Sequence, residues 1–307
     1  ETGQIPNAVD LWDRSRKKQV TFATLDSTLW YLLGLKAYAK AYRDSSLFKR
    51  HKAMADKAFF WLKCQDSGED SLPEQLPTSD WEDCFPHKYG HTISTIALYH
   101  ASLNAYGKGK LAKQVKATAT GKSKFDINLF DEKLGYFLPW QWKNHDGIRE
   151  QETWFDSLGN AIAICGGLAS KKMSGRILQH IEEKGINKPF PVRALYPPIK
   201  RGSREWQPYF ANCLAARPNW YINGGIWPFV GGFYVAALVK ARQFEKAEGE
   251  LEKLAMANRL GARSKWDFSE WVHPTKRQAL GSEDQAWSAG SYLMAFSAVS
   301  KKRFTLF

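Results

Sequence analysis

Apolar residues recur at helical spacing through most of the chain, and they mark a series of helices joined by long polar segments. The predicted helices cover residues 25–42, 47–62, 92–106, 107–118, 153–169, 173–183, 229–241, 244–259 and 283–299. The pattern therefore predicts about nine or ten helices, arranged as consecutive hairpins.

Three stretches depart from this periodicity. Residues 125–142 place the turn-like Asp131–Gly135 between two apolar-aromatic runs, which predicts a β-hairpin. Residues 185–220 and 260–282 are long, irregular and rich in aromatic and basic side chains. Because long irregular connections inside a compact domain are usually functional, we expect these two segments to contribute to a site.

The loops before the helices near residues 26, 92, 153, 224 and 283 carry Trp, Asp, Glu and Gly. If successive helices alternate in direction, these loops meet at one end of the molecule. No Ser/Pro-rich linker divides the 307 residues. We therefore expect one all-α domain, residues 1–307, built as a ring of helical hairpins with a pocket and a small β-hairpin at one face.

Composition narrows the partners of this domain. The chain has 13 Trp, 12 Tyr and 18 Phe, and flat aromatic faces with polar tips suit sugar rings, bases or protein surfaces. The net charge of +13 comes from scattered basic residues, which fits solvated helix faces and predicts no nucleic-acid partner. No apolar run is long enough for a membrane span, and no signal-like start is present. A cytoplasmic location is expected, with secretion left open if a targeting segment has been removed.

The cysteine and histidine spacings predict no metal and no cofactor. Cys64, Cys84, Cys165 and Cys213 are far apart and form no C-x-x-C pair, which argues against a zinc site or a disulfide scaffold. Reduced thiols are the simplest interpretation, and one or two long-range disulfides stay open. His87 and His91 are spaced to share a helix face as metal ligands, but no further ligand cluster accompanies them.

An acidic cluster precedes the third predicted helix. Asp80, Glu82 and Asp83 surround Trp81 within four residues. Like charges beside apolar side chains raise at least one carboxyl pKa, which suits chemistry that needs a protonated acid near neutral pH. A solvated acidic loop with a Trp covering a helix end would explain the same pattern.

Two further segments are candidates for chemistry. Glu270 lies between aromatic residues in an irregular stretch ahead of the last helix, where it could act as a base or belong to a packed surface loop. Inverting glycoside hydrolysis needs an acid and a base about 6.5–9.5 Å apart across the scissile bond. Residues 223–228 (NGGIWP) combine two glycines, which allow close backbone approach, with Trp227 as a stacking face. A helix-start turn with a packed Trp is the alternative. The sequence contains no phosphate-binding loop and no G-x-S-x-G nucleophile motif.

The order of the motifs LDSTLW, DWEDCF, GHT, TWFD, NGGIWP, FSEW and GSEDQAWSAG resembles the (α/α)6-barrel glycoside hydrolases. The resemblance is greatest to the amylo-alpha-1,6-glucosidase (glycogen-debranching) type and to alkaline/neutral invertases. It runs from Ile5 to Tyr292 and is specific for the superfamily rather than for one substrate. It implies an (α/α)6-type toroid, here abbreviated, for which oligomerisation would be one way to complete the ring.

The resemblance also implies residue roles. The general acid of the family is an Asp eight residues before the His of the G-H pair, which matches Asp83, with Asp80 as the competing candidate. The base is a Glu followed by an aromatic residue before the last helix, which matches Glu270. Ile222 replaces the His or Gln that relatives often carry before NGG. The residues implied to bind the sugar are Asp26, Trp30, Asp80, Trp81, His91, Trp154, Asp156, Asn223, Trp227, Gln285 and Trp287.

The sequence as a whole predicts an inverting, exo-acting glycosidase for an alpha-linked glucosyl saccharide, without metal or cofactor. Asp83 would protonate the leaving oxygen and Glu270 would activate water. Two alternatives stay open, because one architecture hosts several chemistries. These are a non-catalytic carbohydrate-binding or scaffold protein and a sugar epimerase or lyase.

Overall fold

A computed structural model describes residues 2–9, 20–144, 146–261 and 264–307. Within these ranges the chain forms nine α-helices, so the predicted number is confirmed for the described part. They are α1 (Asp26–Tyr42), α2 (Ser46–Lys63), α3 (Ile93–Ala105), α4 (Gly109–Ala119), α5 (Ser157–Cys165), α6 (Lys171–Glu183), α7 (Pro228–Lys240), α8 (Phe244–Asn258) and α9 (Ala286–Ser300). The helix predicted at 153–169 is shorter than expected, because a short strand occupies the residues just before α5.

The helices form an inner row and an outer set. Helices α1, α3, α5, α7 and α9 each pack against the next odd-numbered helix, while α2, α4 and α8 pack against α1, α3 and α7. Helices α3, α5 and α7 are buried along nearly their whole surface. A helix that is apolar all round must lie inside the protein, so these three sequences determine which helices are internal.

Short β-strands occur in the segments that precede or connect the helices. They are β1 (Ala8–Val9), β2 (Val20–Thr21), β3 (His91–Thr92), β4 (Phe130–Asp131), β5 (Tyr136–Phe137), β6 (Trp140–Lys143), β7 (Arg149–Gln151), β8 (Phe155–Asp156), β9 (Leu195–Tyr196), β10 (Trp271–His273) and β11 (Gln278–Leu280). They pair as β1–β2, β3–β6–β7, β4–β5, β8–β9 and β10–β11. The predicted hairpin is confirmed as β4–β5, with Phe130 opposite Phe137. The other strands were missed because two to four residues are too few to show alternation.

The N-terminal ends of α1, α7 and α9 meet around one cavity of about 520 Å³, together with the acidic loop. The predicted convergence of the pre-helical loops is thus confirmed for these elements. Residues after α9 return to α1, because Lys40 Nζ donates a hydrogen bond to the carbonyl of Thr305 at 2.7 Å. Phe307 stacks on Phe233 of α7, and Leu306 lines the cavity. None of the helices in the described ranges combines the length and apolarity needed to cross a membrane.

Helices α7 and α9 approach each other through a glycine. A Cβ atom on Gly232 would lie 2.6 Å from both the backbone oxygen and the Cβ of Ser291. Backbone atoms cannot move aside as a flexible side chain can, so only glycine permits this approach. Since Phe229 of α7 and Trp287 of α9 both line the cavity, the close packing also sets the cavity wall.

We expect Gly232→Ala to lower the free energy of unfolding by about 1–3 kcal/mol, because the added methyl group overpacks the α7–α9 contact. The matched control is Gly249→Ala in α8, where a Cβ meets no atom within 4 Å. That change should stabilise the helix by up to about 1 kcal/mol. Urea unfolding of the three proteins measures both effects, and equal stability of the two variants would contradict the packing argument.

Candidate active site

Aromatic side chains form one wall of the 520 Å³ cavity. Trp287 stacks on Phe229 with ring centroids 5.1 Å apart and an interplanar angle of 10°. Trp81 meets Phe229 and Trp227 edge-on, with centroid distances of 5.7 and 5.4 Å. Trp30 contributes a further face and packs against α7. Such faces suit the apolar sides of a sugar ring.

Trp227 supports this wall from behind. Its side chain is almost completely buried, and its indole N–H donates a hydrogen bond to the carbonyl of Tyr221 at 3.2 Å. It also contacts Trp287 edge-on at 5.7 Å. Trp227 was itself predicted to bind the sugar. In the structure it does not line the cavity, and it packs beneath Trp81 and Trp287, which do.

A completely buried lysine holds the acidic loop in place. The ammonium group of Lys88 lies 2.8 Å from Asp80 Oδ2, forms a short ion pair with Glu82, and lies 3.7 Å from Asp156 Oδ2. Ser94 Oγ also donates a hydrogen bond to Asp80 Oδ2 at 3.0 Å. These contacts hold Asp80 and Glu82, on either side of Trp81, in fixed positions. They therefore restrict the orientation of Asp83, the next residue in the loop.

Burial and the neighbouring charges of this cluster shift the pKa values of Lys88, Glu82 and Asp156. Burial alone would lower the pKa of Lys88, but Asp80, Glu82 and Asp156 raise it above its usual range. Burial raises the pKa of Glu82 well above its ordinary value, although Lys88 opposes the shift. Burial raises the pKa of Asp156 as well. One ammonium cannot balance three buried carboxylates, so burial favours the protonated forms of Glu82 and Asp156.

Asp83 follows this cluster but faces solvent on the cavity side. Desolvation raises its pKa, and the negative charges of Asp80 and Glu270 raise it further. The influence of Glu270 on the pKa of Asp83 means that the two carboxyl groups act on one another across the same site. The structure thus brings together the two residues that the sequence predicted as acid and base. A carboxyl with a raised pKa is suited to proton donation.

Glu270 is half-buried, is not among the residues that line the cavity, and is held at both oxygens. The hydroxyl of Tyr221 donates to Oε1 at 3.1 Å, and the backbone N–H of Ser282 donates to Oε2 at 3.1 Å. Gly281 has a φ of +80°, and a Cβ atom there would lie 2.2 Å from Oε2. The glycine is therefore required for both its backbone conformation and the approach of the carboxylate. Burial and the charge of Glu270 raise the pKa of Tyr221 above its usual range, which keeps its hydroxyl a donor.

Two predicted sugar-binding residues have structural partners instead. The amide of Asn223 accepts from the N–H of Ile199 at 2.7 Å and donates to the carbonyls of Ile199 and Ala215. Both side-chain N–H donors of Asn223 and its side-chain oxygen make hydrogen bonds that join two parts of the long segment. His91 lies in β3 with Nε2 3.2 Å from Asp70 Oδ2, and it is not among the cavity-lining residues.

Three other predicted residues also lie outside the lining. Trp154 borders a separate cavity of about 110 Å³. Asp156 is buried and caps α5 by accepting the N–H of Gly159 at 2.8 Å. Gln285 precedes α9, and its backbone N–H donates to the carbonyl of Phe268 at 3.0 Å. Of the predicted sugar-binding residues, those that line the cavity are Asp26, Trp30, Asp80, Trp81 and Trp287.

Lys88 and Tyr221 are site residues that the sequence reasoning missed. Lys88 had a local signal, since it follows the three acids within a few residues and is the only Lys or Arg between Lys63 and Lys108. Tyr221 had none, because its contact with Glu270 joins positions far apart in the sequence.

A group that could hold a cation lies apart from the cavity. Ligand atoms of Asp70, Glu74 and His91 are within 4.8 Å of one another. Hydrogen bonds from loop donors already occupy the carboxylates of Asp70 and Glu74. The alternative of a shared helix face for His87 and His91 is wrong, because His91 is in a strand and His87 is in the preceding loop, where it hydrogen-bonds Tyr209.

Asp26, at the start of α1, is almost completely buried in the cavity wall. Burial and the charge of Asp80 raise its pKa to about 7, against an ordinary value of 3.8. A carboxyl whose pKa is higher in the folded state contributes stability below its unfolded pKa, and that contribution is lost as the pH rises to the folded value. Protonated Asp26 therefore stabilises the fold at mildly acid pH.

We expect the wild-type protein to lose about 3 kcal/mol of unfolding free energy between pH 5 and pH 8 through Asp26 alone. Asp26→Asn should remove this part of the slope and be more stable than wild type at pH 8. The exposed Asp146→Asn variant should retain the wild-type slope. Urea unfolding at the two pH values measures the effect, and an unchanged slope in Asp26→Asn would contradict it.

Comparison with known proteins adds the family. The family model for alkaline and neutral invertase matches residues 91–301, a range that includes Glu270 and begins after Asp83. The probable alkaline/neutral invertase D of Arabidopsis thaliana is 25% identical over 330 aligned residues, covering 89% of this chain and 59% of that protein. The probable alkaline/neutral invertase F of the same plant is 26% identical, with coverages of 89% and 64%. The chain thus spans less than two thirds of the length of these relatives.

Solved structures share the fold at low sequence identity. A GH63 mannosylglycerate hydrolase from Thermus thermophilus, in complex with glucose, superposes with a TM-score of 0.67 at 14% identity, over 97% of this chain and 84% of that one. A rhamnosidase from Klebsiella oxytoca gives a TM-score of 0.60 at 11% identity, with coverages of 97% and 51%. These similarities establish the helical architecture, and the family match covers more than half of the chain. The protein therefore belongs to the family of alkaline and neutral invertases.

Proposed function

We propose that this protein is an exo-acting glycoside hydrolase that releases an alpha-linked glucosyl residue with inversion at the anomeric carbon. The observation that carries the proposal is that Asp83 lines a cavity with tryptophan faces and lies close enough to Glu270 for the charge of Glu270 to raise its pKa. Membership of the alkaline and neutral invertase family supports hydrolysis of a glycosidic bond as the reaction class.

Asp83 is the proposed general acid. Its raised pKa favours the protonated form that a proton donor needs, and its position in the cavity lining lets it reach a glycosidic oxygen. Transfer of that proton neutralises the leaving alkoxide as the bond to the anomeric carbon breaks. The Lys88 cluster holds the loop that carries Asp83 and prevents it from relaxing away from the negative charges.

Glu270 is the proposed general base. The donors Tyr221 and Ser282 hold its two oxygens, and each carboxylate oxygen has a further lone pair with which to bind a water molecule. That water loses a proton to Glu270 while its oxygen attacks the anomeric carbon from the face opposite Asp83. The product sugar then carries the inverted configuration.

The cavity supports a small sugar as the bound group. Its volume of about 520 Å³ lies in the range of small-molecule sites. Trp81 and Trp287 offer ring faces, and the carboxyl of Asp26, at the start of α1, offers a hydrogen-bonding group in the same lining. These features favour a terminal sugar unit, which is why we propose exo action.

Two finer assignments belong to the same proposal. We place the inner row of five helices within an (α/α)6 barrel, since the tail around Thr305 reaches back to α1 and carries the wall past α9. We place the protein in the cytoplasm. A relative from rice is named a cytosolic invertase, while others are named chloroplastic or mitochondrial.

We expect Asp83→Asn and Glu270→Gln each to lower kcat at least about 10³-fold, because each removes a proton-transfer group. The screen uses sucrose, alpha-glucosides and trehalose, and NMR follows the anomer first released. Glu248→Gln, an exposed change in α8, serves as the control and should retain full activity.

Activity that survives both substitutions would refute the catalytic pair. Release of the anomer with retained configuration would refute the inverting mechanism. Sugar binding by calorimetry without any turnover would favour a carbohydrate-binding protein, and a product other than a hydrolysed sugar would favour an epimerase or lyase.

We expect Tyr221→Phe to lower kcat by about 10- to 100-fold with little change in KM, because it removes a hydrogen bond to a charged carboxylate that positions the attacking water. The matched control is Tyr38→Phe, which changes an exposed residue of α1. Steady-state kinetics on the substrate identified above measures the effect. An unchanged kcat would show that Ser282 alone suffices to orient Glu270.

A further inference from the structure

Two cysteine thiols meet directly beside the acidic loop. Cys84 follows Asp83, and Cys213 lies between the two short 3-10 helices Pro208–Asn212 and Leu214–Ala216. The side chains of Cys84 and Cys213 are neighbours, since Cys213 adds to the effect of burial in raising the pKa of the Cys84 thiol, and both side chains are partly exposed. We propose that these two residues form a reversible disulfide, a modification site that links thiol oxidation to the position of the catalytic acid.

Other contacts show that the two segments lie side by side. Phe85 and Phe210 have ring centroids 4.4 Å apart. His87 Nδ1 hydrogen-bonds the hydroxyl of Tyr209. Together with the two cysteines, these pairs follow one another in opposite order along the two segments, which therefore lie antiparallel. The proximity of Cys84 and Cys213 is therefore a property of how two loops pack and not of one side-chain conformation.

The other two cysteines lack such an arrangement. Cys165 is buried at the end of α5, where its thiol donates to the carbonyl of Phe233. Cys64 is exposed at the end of α2 and borders a different cavity. Among the four, the pair Cys84–Cys213 combines mutual contact with access to an external oxidant.

The reaction needs a disulfide oxidant, for which oxidised glutathione is the probe. The thiolate of Cys213 attacks one sulfur of oxidised glutathione, forms a mixed disulfide and releases the first glutathione thiolate. Cys84 then loses its proton, its sulfur attacks the sulfur of Cys213, and the second glutathione leaves. The two thiol protons end on the two glutathione molecules. Cys84 attacks second, because burial, the neighbouring Cys213 and the charge of Asp83 raise the pKa of its thiol above its usual range.

A disulfide here would shift both the loop that carries Asp83 and the segment that Ala215 and Asn223 hold together. Two neighbouring thiols must approach to about 2.05 Å to become bonded sulfurs, so the loops must shift toward each other. On one side the shift acts on Asp83, the neighbour of Cys84. On the other side Cys213 Sγ accepts the N–H of Ala215 at 3.3 Å, and the carbonyl of Ala215 accepts from Asn223. A displacement of about 1 Å can cost 10²-fold in rate, so we expect the oxidised form to be less active. This consequence rests on the proposed function, whereas the disulfide itself does not.

The first test detects the bond without any activity assay. The reduced full chain is treated with oxidised glutathione, free thiols are alkylated and counted, and peptides are mapped by mass spectrometry without reduction. We expect the loss of two thiols, a linked peptide containing residues 84 and 213, and full reversal by dithiothreitol. The melting temperature should rise by roughly 5 °C or more, because the bond closes a long loop of the unfolded chain.

Variants separate the pair from the other cysteines. Cys213→Ser and Cys84→Ser should each abolish the linked peptide and the rise in melting temperature, while Cys64→Ser should behave like wild type. Circular dichroism checks that each variant is folded, and either variant of the pair suffices for the comparison. Four alkylated thiols after oxidation, a stable mixed disulfide with glutathione, or a link that uses Cys64 would overturn the proposal.

The second test measures hydrolysis before and after oxidation. We expect kcat to fall at least about fivefold on oxidation, to recover with dithiothreitol, and to be insensitive to oxidation in Cys213→Ser. A mapped disulfide with unchanged kcat would overturn the coupling to the site. If the reduced protein hydrolyses no tested glycoside, the proposed function fails, while the mapped disulfide and the melting temperature still decide the modification.

Discussion

The candidate site depends on one completely buried ammonium group. Lys88 lies between Asp80, Glu82 and Asp156, which come from the acidic loop and the start of α5. Removing four ionisable groups from water is costly, and only close pairing offsets that cost. The same pairing makes the loop rigid, because each carboxylate has lost the freedom to turn toward solvent. Rigid placement of the residues before Asp83 is what a proton donor at a fixed bond requires.

The two proposed catalytic groups are held by different means. Asp83 is positioned through the ion cluster behind its loop, and its own side chain faces the cavity. Glu270 is positioned by hydrogen bonds from Tyr221 and Ser282, with Gly281 leaving room for the carboxylate. An acid needs a raised pKa, which burial and neighbouring charge provide, whereas a base needs orientation, which donors provide. The difference in surroundings matches the difference in the proposed roles.

Local patterns predicted the helices well and the connections poorly. Helices α3 and α7 are apolar on every face, so their periodicity and their internal position could both be read from the sequence. Strands such as β8 and β10 escaped prediction, because the partner of β8 lies in another loop and both strands are too short to show alternation. The surroundings of Asn223 could not be predicted for a related reason. A glycine-rich motif before a helix indicates close backbone approach, but it does not say whether a ligand or the protein itself comes close. Here the partners are the backbones of Ile199 and Ala215.

By itself the sequence determined the order of the helices, the acidic and aromatic character of the loops between them, and Asp83 and Glu270 as the candidate pair. The helix order and the character of the loops are properties of spacing and side-chain chemistry, which do not depend on distant contacts, whereas the pair was implied by the resemblance of the motifs to the glycoside hydrolases. Only the tertiary structure decided that Lys88 pairs with the buried acids, that Tyr221 reaches Glu270, and that Cys84 and Cys213 are neighbours. Each of these contacts joins groups whose proximity is set by helix packing. That packing, including the glycine-mediated approach of α7 and α9, is the sum of many weak interactions that no short motif records.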